Sequence, residues 1–219
     1  MIKIQQLCLS LALSAAMAEA APQVDMKPRA PWRLTEYLGL AHRNPAGLIR
    51  EGQRLMDPDQ LRIAKVEASA AFEWQDRLAL VSALTDFFDP VKARRIQASH
   101  KGQARQLIQM AMQEDPSLVV RDGAVEAVRR IVRMQPGESR LWKKSLEKAF
   151  LNPANVIGGE GLFIRETILT ALREANLRPS PETRRAALRD KNEGVRALLS
   201  RWETKNFGEI PRSKLSTVR

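Results

Sequence analysis

The chain predicts an all-α fold, a right-handed α-solenoid of stacked helix pairs with capping helices at its N-terminal end. From Trp32 to Trp202 apolar residues recur at three- and four-residue steps, and the β-branched alternation that strands need is absent. An Arg-x5-Ala-aliphatic pattern returns at a 44-residue spacing, as Arg77/Ala83/Leu84, Arg121/Ala127/Val128 and Arg165/Ala171/Leu172. Pro90, Pro136 and Pro181 each follow one of these segments and precede Arg94, Arg140 and Arg184. Proline fits the first turn of a helix and not its interior, so these positions read as breaks between units.

Taken in order, residues 1–20, MIKIQQLCLSLALSAAMAEA, combine Lys3, an apolar run from Leu7 to Met17 and an Ala-Glu-Ala ending. That is the pattern of a cleavable secretory signal peptide, and it predicts a periplasmic or secreted protein with no integral membrane segment after cleavage. The polar, proline-bearing stretch after the apolar run argues against a retained membrane helix, and Cys8 stands too early for a lipoprotein signal. Residues 21–31 read as a linker. Cys8 is the single cysteine of the chain, so its loss would leave no disulfide, thiol nucleophile or thiolate metal site.

Trp32 to Met56 supplies Leu34, Tyr37, Leu38, Leu40, Leu48, Ile49 and Leu55, the apolar content of a helix pair that covers the first open face of a repeat array. The stretch DPSLVVRDGAVEAVRRIV, beginning at Asp115, then shows the repeat most plainly. Val120, Ala124, Ala127, Val128 and Ile131 fall on one helix face, and Arg121, Asp122, Glu126, Arg129, Arg130 and Arg133 fall on the other. The last stretch, residues 203–219, is polar and basic and reads as a flexible tail. The expected domain is therefore 32–202.

A period of roughly 40 to 47 residues built from helix pairs belongs to helical solenoids. The segment IQMAMQEDPSLVVRDGAVEAVRRIV resembles a HEAT repeat, with an apolar first helix, an Asp-Pro turn, a Val-Arg entry and a second helix carrying Ala and aliphatic residues. LEKAFLNPANVIGGEGLFIRETILTALREA has the same ending with a longer loop, and AALRDKNEGVRALLSRW looks like a shortened final unit with Arg196 in the entry position. The resemblance to the HEAT-like family covers about Asp57 to Trp202. It implies that Arg77, Arg121 and Arg165 bond the turn of an adjacent unit. It also implies that the second helices line a concave surface, which would present Arg129, Arg130, Arg133, Arg173 and Arg201 to a partner. HEAT-like folds include bilin lyases and alkylpurine DNA glycosylases, which act on intracellular substrates.

The residue inventory points away from catalysis. His42 and His100 stand apart, too few for a three- or four-ligand zinc site, so neither a metal nor another cofactor is expected. No G-x-S-x-G, G-x-x-x-x-G-K-S/T or G-x-G-x-x-G sequence occurs. The glycine-rich VIGGEG, Val156 to Gly161, joins two helical patterns with no strand before it, and is either an enlarged turn or a binding loop. Trp74, Trp142 and Phe163 read as core, and Trp32 and Trp202, near the ends of the array, as partly exposed.

The net charge of +11 at pH 7 favours anionic partners, or else solubilises long helix faces. The expected function is a non-catalytic, exported scaffold or adaptor that holds a protein or peptide on its concave face. The alternative is a basic groove for anionic polymers, an envelope polymer or DNA. Glu126 and Glu174 interrupt the basic surface, and few aromatics accompany it, which disfavours stacking on single strands.

Overall fold

A computed structural model of the protein describes residues 34–59, 61, 74–155 and 164–207, with 205–207 described in backbone only. The expected signal peptide and linker, Trp32, Phe163, the Val156–Gly161 loop and residues 208–219 lie outside the described residues. The described residues are all-helical, with no strand. Nine α-helices are present among them. They are α1 (Leu34–Arg43), α2 (Pro45–Leu55), α3 (Trp74–Leu84), α4 (Ala98–Glu114), α5 (Leu118–Met134), α6 (Ser139–Leu151), α7 (Ile164–Glu174), α8 (Pro181–Leu188) and α9 (Glu193–Phe207). None of these helices is long and apolar enough to cross a membrane.

Local chemistry sets several boundaries. Asn44 caps α2 by accepting from the Gly47 N–H at 3.0 Å, with Pro45 in the first helical position, where its missing N–H costs nothing. Ser180 caps α8 in the same way, accepting from Thr183 N–H at 3.2 Å ahead of Pro181. Helix α7 closes with Asn176 in the left-handed region at φ 53°. Its N–H bonds the Arg173 carbonyl and that of Leu177 bonds Leu172, a paired arrangement that satisfies the last carbonyls of the helix. Pro136 opens a short 3-10 turn that leads into α6, and Pro90 precedes another, Lys92–Arg95, before α4.

Packing sorts the helices into two series. α1, α3, α5, α7 and α9 each contact the next odd-numbered helix, and α2, α4, α6 and α8 each contact the next even-numbered one. Across the series α4 lies on α5, α6 on α7 and α8 on α9. An amphipathic helix is marginal alone in water and gains its stability by burying one stripe. Here the stripes meet in a single core cluster that runs from Tyr37 to Trp202. Val120, Ala124, Ala127, Val128 and Ile131 of α5 are all buried in it. Trp142 is fully buried, with its ring edge-on to Phe88 at 6.0 Å between centroids. Gly52 lets the even series close up: a Cβ there would meet Leu107 Cδ1 at 2.6 Å and Leu80 Cδ2 at 3.3 Å.

Two sequence expectations change at the C-terminal end. Trp202 is buried, at 4% exposure, not partly exposed. As the last helix, α9 must bury Val195, Leu199 and Trp202 against α7 and α8, since no later helix among the described residues covers them. Helix α9 also runs past Trp202 to Phe207, and Glu203 is buried against Arg184 of α8. The first residues of the expected flexible tail, 203–207, therefore continue helix α9. Trp74 is half-buried.

Candidate interaction groove

The arginines at the 44-residue spacing all sit at the start of odd-series helices and reach into the turn that follows the next even-series helix. Arg77 of α3 forms a bidentate pair with Asp115, Nε to Oδ2 at 2.6 Å and Nη2 to Oδ1 at 3.2 Å. Arg121 of α5 donates through Nε to Asn155 Oδ1 at 2.8 Å and through Nη2 to the Ala154 carbonyl at 3.1 Å. Arg165 of α7 donates through Nη1 to Asp190 Oδ2 at 2.6 Å, with its guanidinium 4.9 Å from the centre of the Phe150 ring. Asp115, Asn155 and Asp190 thus occupy one place in three successive turns.

The turns are also held from within. Asp115 and Asp190 each accept the N–H two residues on, from Ser117 at 2.8 Å and Asn192 at 2.9 Å. Arg121 and Arg196 each donate, at 2.5 Å, to the main-chain oxygen six residues upstream, that of Asp115 and Asp190 respectively. Burial pushes the Arg121 guanidinium below its ordinary pKa, against the opposing charge of Asp115. The Asp-x5-Arg spacing shared by Asp115/Arg121 and Asp190/Arg196 is legible in the sequence, whereas Asn155 is not, because the longer loop shifts it relative to Arg165.

The five candidate partner-binding arginines differ in how they are engaged. Arg129 is held by two carboxylates: Glu174 of α7, bidentate with both contacts at 2.8 Å, and Glu126 at 2.9 Å on its own helix. Arg133 shares Glu174 at 3.1 Å. The Arg129 bonds, followed by the charges of Arg129, Arg133 and Arg173, hold Glu174 below its usual value, and the Glu174 bond raises Arg129. Beside this triad Asp122 accepts from the Thr167 hydroxyl at 3.3 Å, yet burial pushes its carboxyl up.

Arg130 is exposed and makes no ion pair or hydrogen bond among the described residues. With Arg133 it overlooks a cleft of about 420 Å³ between α3 and α5, floored by Ser82, Gly123 and Ala127. Gly123 lets α3 and α5 approach closely at the edge of the cleft, since a Cβ there would stand 2.2 Å from Leu78 Cδ1. Arg173 is exposed at the end of α7, and Arg201 on α9 bonds its own helix at Ala197 O, 3.3 Å.

No family model, curated protein or solved structure matches the chain. The groove is accordingly read from its own geometry. Its lining combines Arg130 and Arg133, which can hold a carboxylate, with Glu126 and the small residues Ser82, Gly123 and Ala127. Thr85, on its wall, already donates to main-chain carbonyls of α3. Elsewhere among the described residues no group of three or more His, Cys, Asp or Glu side chains could hold a metal ion. His42 lies 3.4 Å from Asp86, which also takes Lys92 at 2.9 Å.

A second, larger cleft of about 520 Å³ lies on the even series, lined in part by Glu114, Lys144, Glu147, Lys148 and Glu182. Glu147 accepts from the Ser180 N–H at 2.5 Å and so ties α6 to the start of α8. Sequence reasoning assigned no role to this side of the molecule.

Proposed function

We propose that the chain is a HEAT-like α-solenoid, capped at its start by α1 and α2, that acts without catalysis as an exported scaffold holding a protein or peptide partner. The observation that carries this reading is the register of the arginines. Arg77, Arg121 and Arg165 each bond the equivalent turn one unit further on, which is how a stack of like units holds neighbour to neighbour. On this reading the odd series lines the concave face and the cleft beside Arg130 is the point of contact.

A protein partner is favoured over a polyanion on that face because Glu126 and Glu174 neutralise Arg129 and Arg133. A polyanion track needs consecutive uncompensated cations. A carboxylate-bearing side chain needs a guanidinium that no carboxylate already holds, and Arg130 on the cleft closes no ion pair among the described residues. Export rests on the N-terminal pattern of residues 1–20.

Site-specific photo-crosslinking tests the proposal. A crosslinker at position 82 or 130, set against one at exposed Gln106 of α4, should capture the same partner from envelope extract at the first two positions and not at the third. Capture that is absent, or equal at all three, overturns it. Secretion of the processed chain, read as a mass loss equal to residues 1–20, tests the location separately.

A further inference from the structure

Helix α5 of the odd series pairs Arg129 and Arg133 with Glu174, whereas helix α6 of the even series leaves its outward cations without an ion pair among the described residues. Arg140, Lys144 and Lys148 are exposed at successive i,i+4 positions and make no ion pair or hydrogen bond among the described residues. Like charges at that spacing repel, so the stripe weakens α6 and is not there for the sake of the fold. Helix α6 presents it outward because Trp142, Leu146, Ala149 and Phe150 fill the opposite face. Next to it in the even series, α8 adds Arg185 and, at its end, Arg189, both exposed and likewise without a partner among the described residues.

Within the stripe stands Leu141, 54% exposed between Arg140 and the lysines. An isolated exposed leucine needs no explanation on a soluble helix. One flanked by uncompensated cations has the chemistry of a surface that meets anionic headgroups and slips an apolar side chain between them. Glu114 and Glu182 border the lysines in the 520 Å³ cleft without closing an ion pair, and Glu147 is engaged with α8. Arg140, Leu141, Arg185 and Arg189 are not among the residues that line this cleft, and Glu138, the acid before Arg140 in the chain, is already paired with Arg105.

We propose that this face of α6 and α8 docks on a membrane surface that carries anionic lipid. It belongs to the series opposite the groove, so docking leaves the cleft beside Arg130 open, and the proposal stands or falls independently of a protein partner there. Anionic lipid is favoured over a soluble polyanion by Leu141, which a polymer without an apolar phase would leave in water. The helices are too short and polar to insert, and binding is peripheral.

Co-sedimentation of the full chain with vesicles of phosphatidylglycerol and phosphatidylcholine, against phosphatidylcholine alone, tests it. Every variant keeps the same first twenty residues, so differences among them report on the helical face. Retention on the anionic vesicles should weaken as salt rises, since headgroup attraction is screened. Combined K144E, K148E and R185E should lower the apparent affinity about tenfold or more. Leu141→Ser should weaken binding at unchanged charge. Circular dichroism should be unchanged in both variants, because all four side chains face solvent. Equal retention on the two vesicle types, or a triple variant that binds as well as the parent, overturns the proposal. So does binding that duplex DNA or heparin abolishes while Leu141→Ser has no effect, which would make the face a site for soluble polyanions.

Discussion

Arg77 and Asp115, 38 residues apart, close a bidentate ion pair with both side chains almost wholly removed from water, at 2% and 0% exposure. Removing one partner of such a pair leaves a buried charge without compensation, at a cost of about 3–5 kcal/mol. Arg77→Ala should therefore lower the denaturation midpoint sharply, and Arg77→Ala combined with Asp115→Ala should cost less than the two single changes added together. Chemical denaturation of the four species measures the coupling. Strict additivity would show that the pair does not hold α3 to the following turn.

Arg129 and Glu174 look similar on paper and should behave differently. Their side chains are about a quarter exposed, and pairs open to solvent contribute roughly 0–1 kcal/mol. Arg129→Ala should leave the thermal midpoint nearly unmoved while leaving Glu174 to Arg133 alone and turning the groove more acidic. A large drop in midpoint would mean that this triad holds α5 to α7.

Asn155 cannot be improved to match its counterparts Asp115 and Asp190. Its Oδ1 accepts from Arg121 while its Nδ2 donates to the Ala149 carbonyl at 2.9 Å, and a carboxylate could only accept. Asn155→Asp gains a charged partner for Arg121 but sets a carboxylate oxygen against the Ala149 carbonyl, which keeps only the Asn152 N–H at 3.3 Å, a loss of about 1–3 kcal/mol before any gain is counted. The expected result is a less stable protein at neutral pH, read by urea unfolding. A clear increase in stability would refute this account of the turn.

Two carboxylates set opposite pH trends. Glu174 is held low by Arg129, so its contribution is full above the unfolded value of about 4.3 and is lost as pH falls through the lower folded value. Glu174→Gln should remove that part of the acid limb. Asp122 is pushed up by burial, so its native form favours the proton, and the strain of keeping it charged is present once pH rises through the folded value. Asp122→Asn should be the more stable protein at neutral pH, with its advantage vanishing below about pH 3.9, where wild-type Asp is protonated folded and unfolded alike. Unfolding free energies between about pH 2 and pH 8 separate the two.

Gly52 is where α2 approaches closest to its neighbours. Gly52→Leu would drive a side chain into Leu107 and Leu80, both buried, and overpacking of this kind costs about 1–3 kcal/mol. Adding Leu107→Ala should recover part of the loss by opening room. If the double variant is worse than either single change, the contact at position 52 is not steric.

Much of the helical pattern was legible in advance because it follows from spacing. The stripe of α5 and the proline breaks before α6 and α8 rest on local rules, and the residues that obey them are the buried or capping ones. Arg121 broke the stripe rule: periodicity put it on the polar face, and it is buried at 6% exposure. Asn155 and the main-chain oxygens of Asp115 and Ala154 make that tolerable, since a guanidinium can leave water when its hydrogens are bonded. The pairing of Arg129 and Arg133 on Glu174 was hidden for the same reason, because the acid belongs to the next odd helix and not to their own.

From the chain alone come the net charge, set by composition, and the helices, their amphipathic faces and the 44-residue return of an arginine, which follow from the residues that stand three, four or forty-four places apart. Tertiary structure decided which charges remain for a partner. Helices brought side by side paired Arg129 and Arg133 with Glu174, left Arg130 open over the cleft, and left Arg140, Lys144 and Lys148 of α6 exposed without an ion pair among the described residues. The physical reason is that an ion pair forms over a few ångströms of space, and helix packing, not sequence separation, sets that distance.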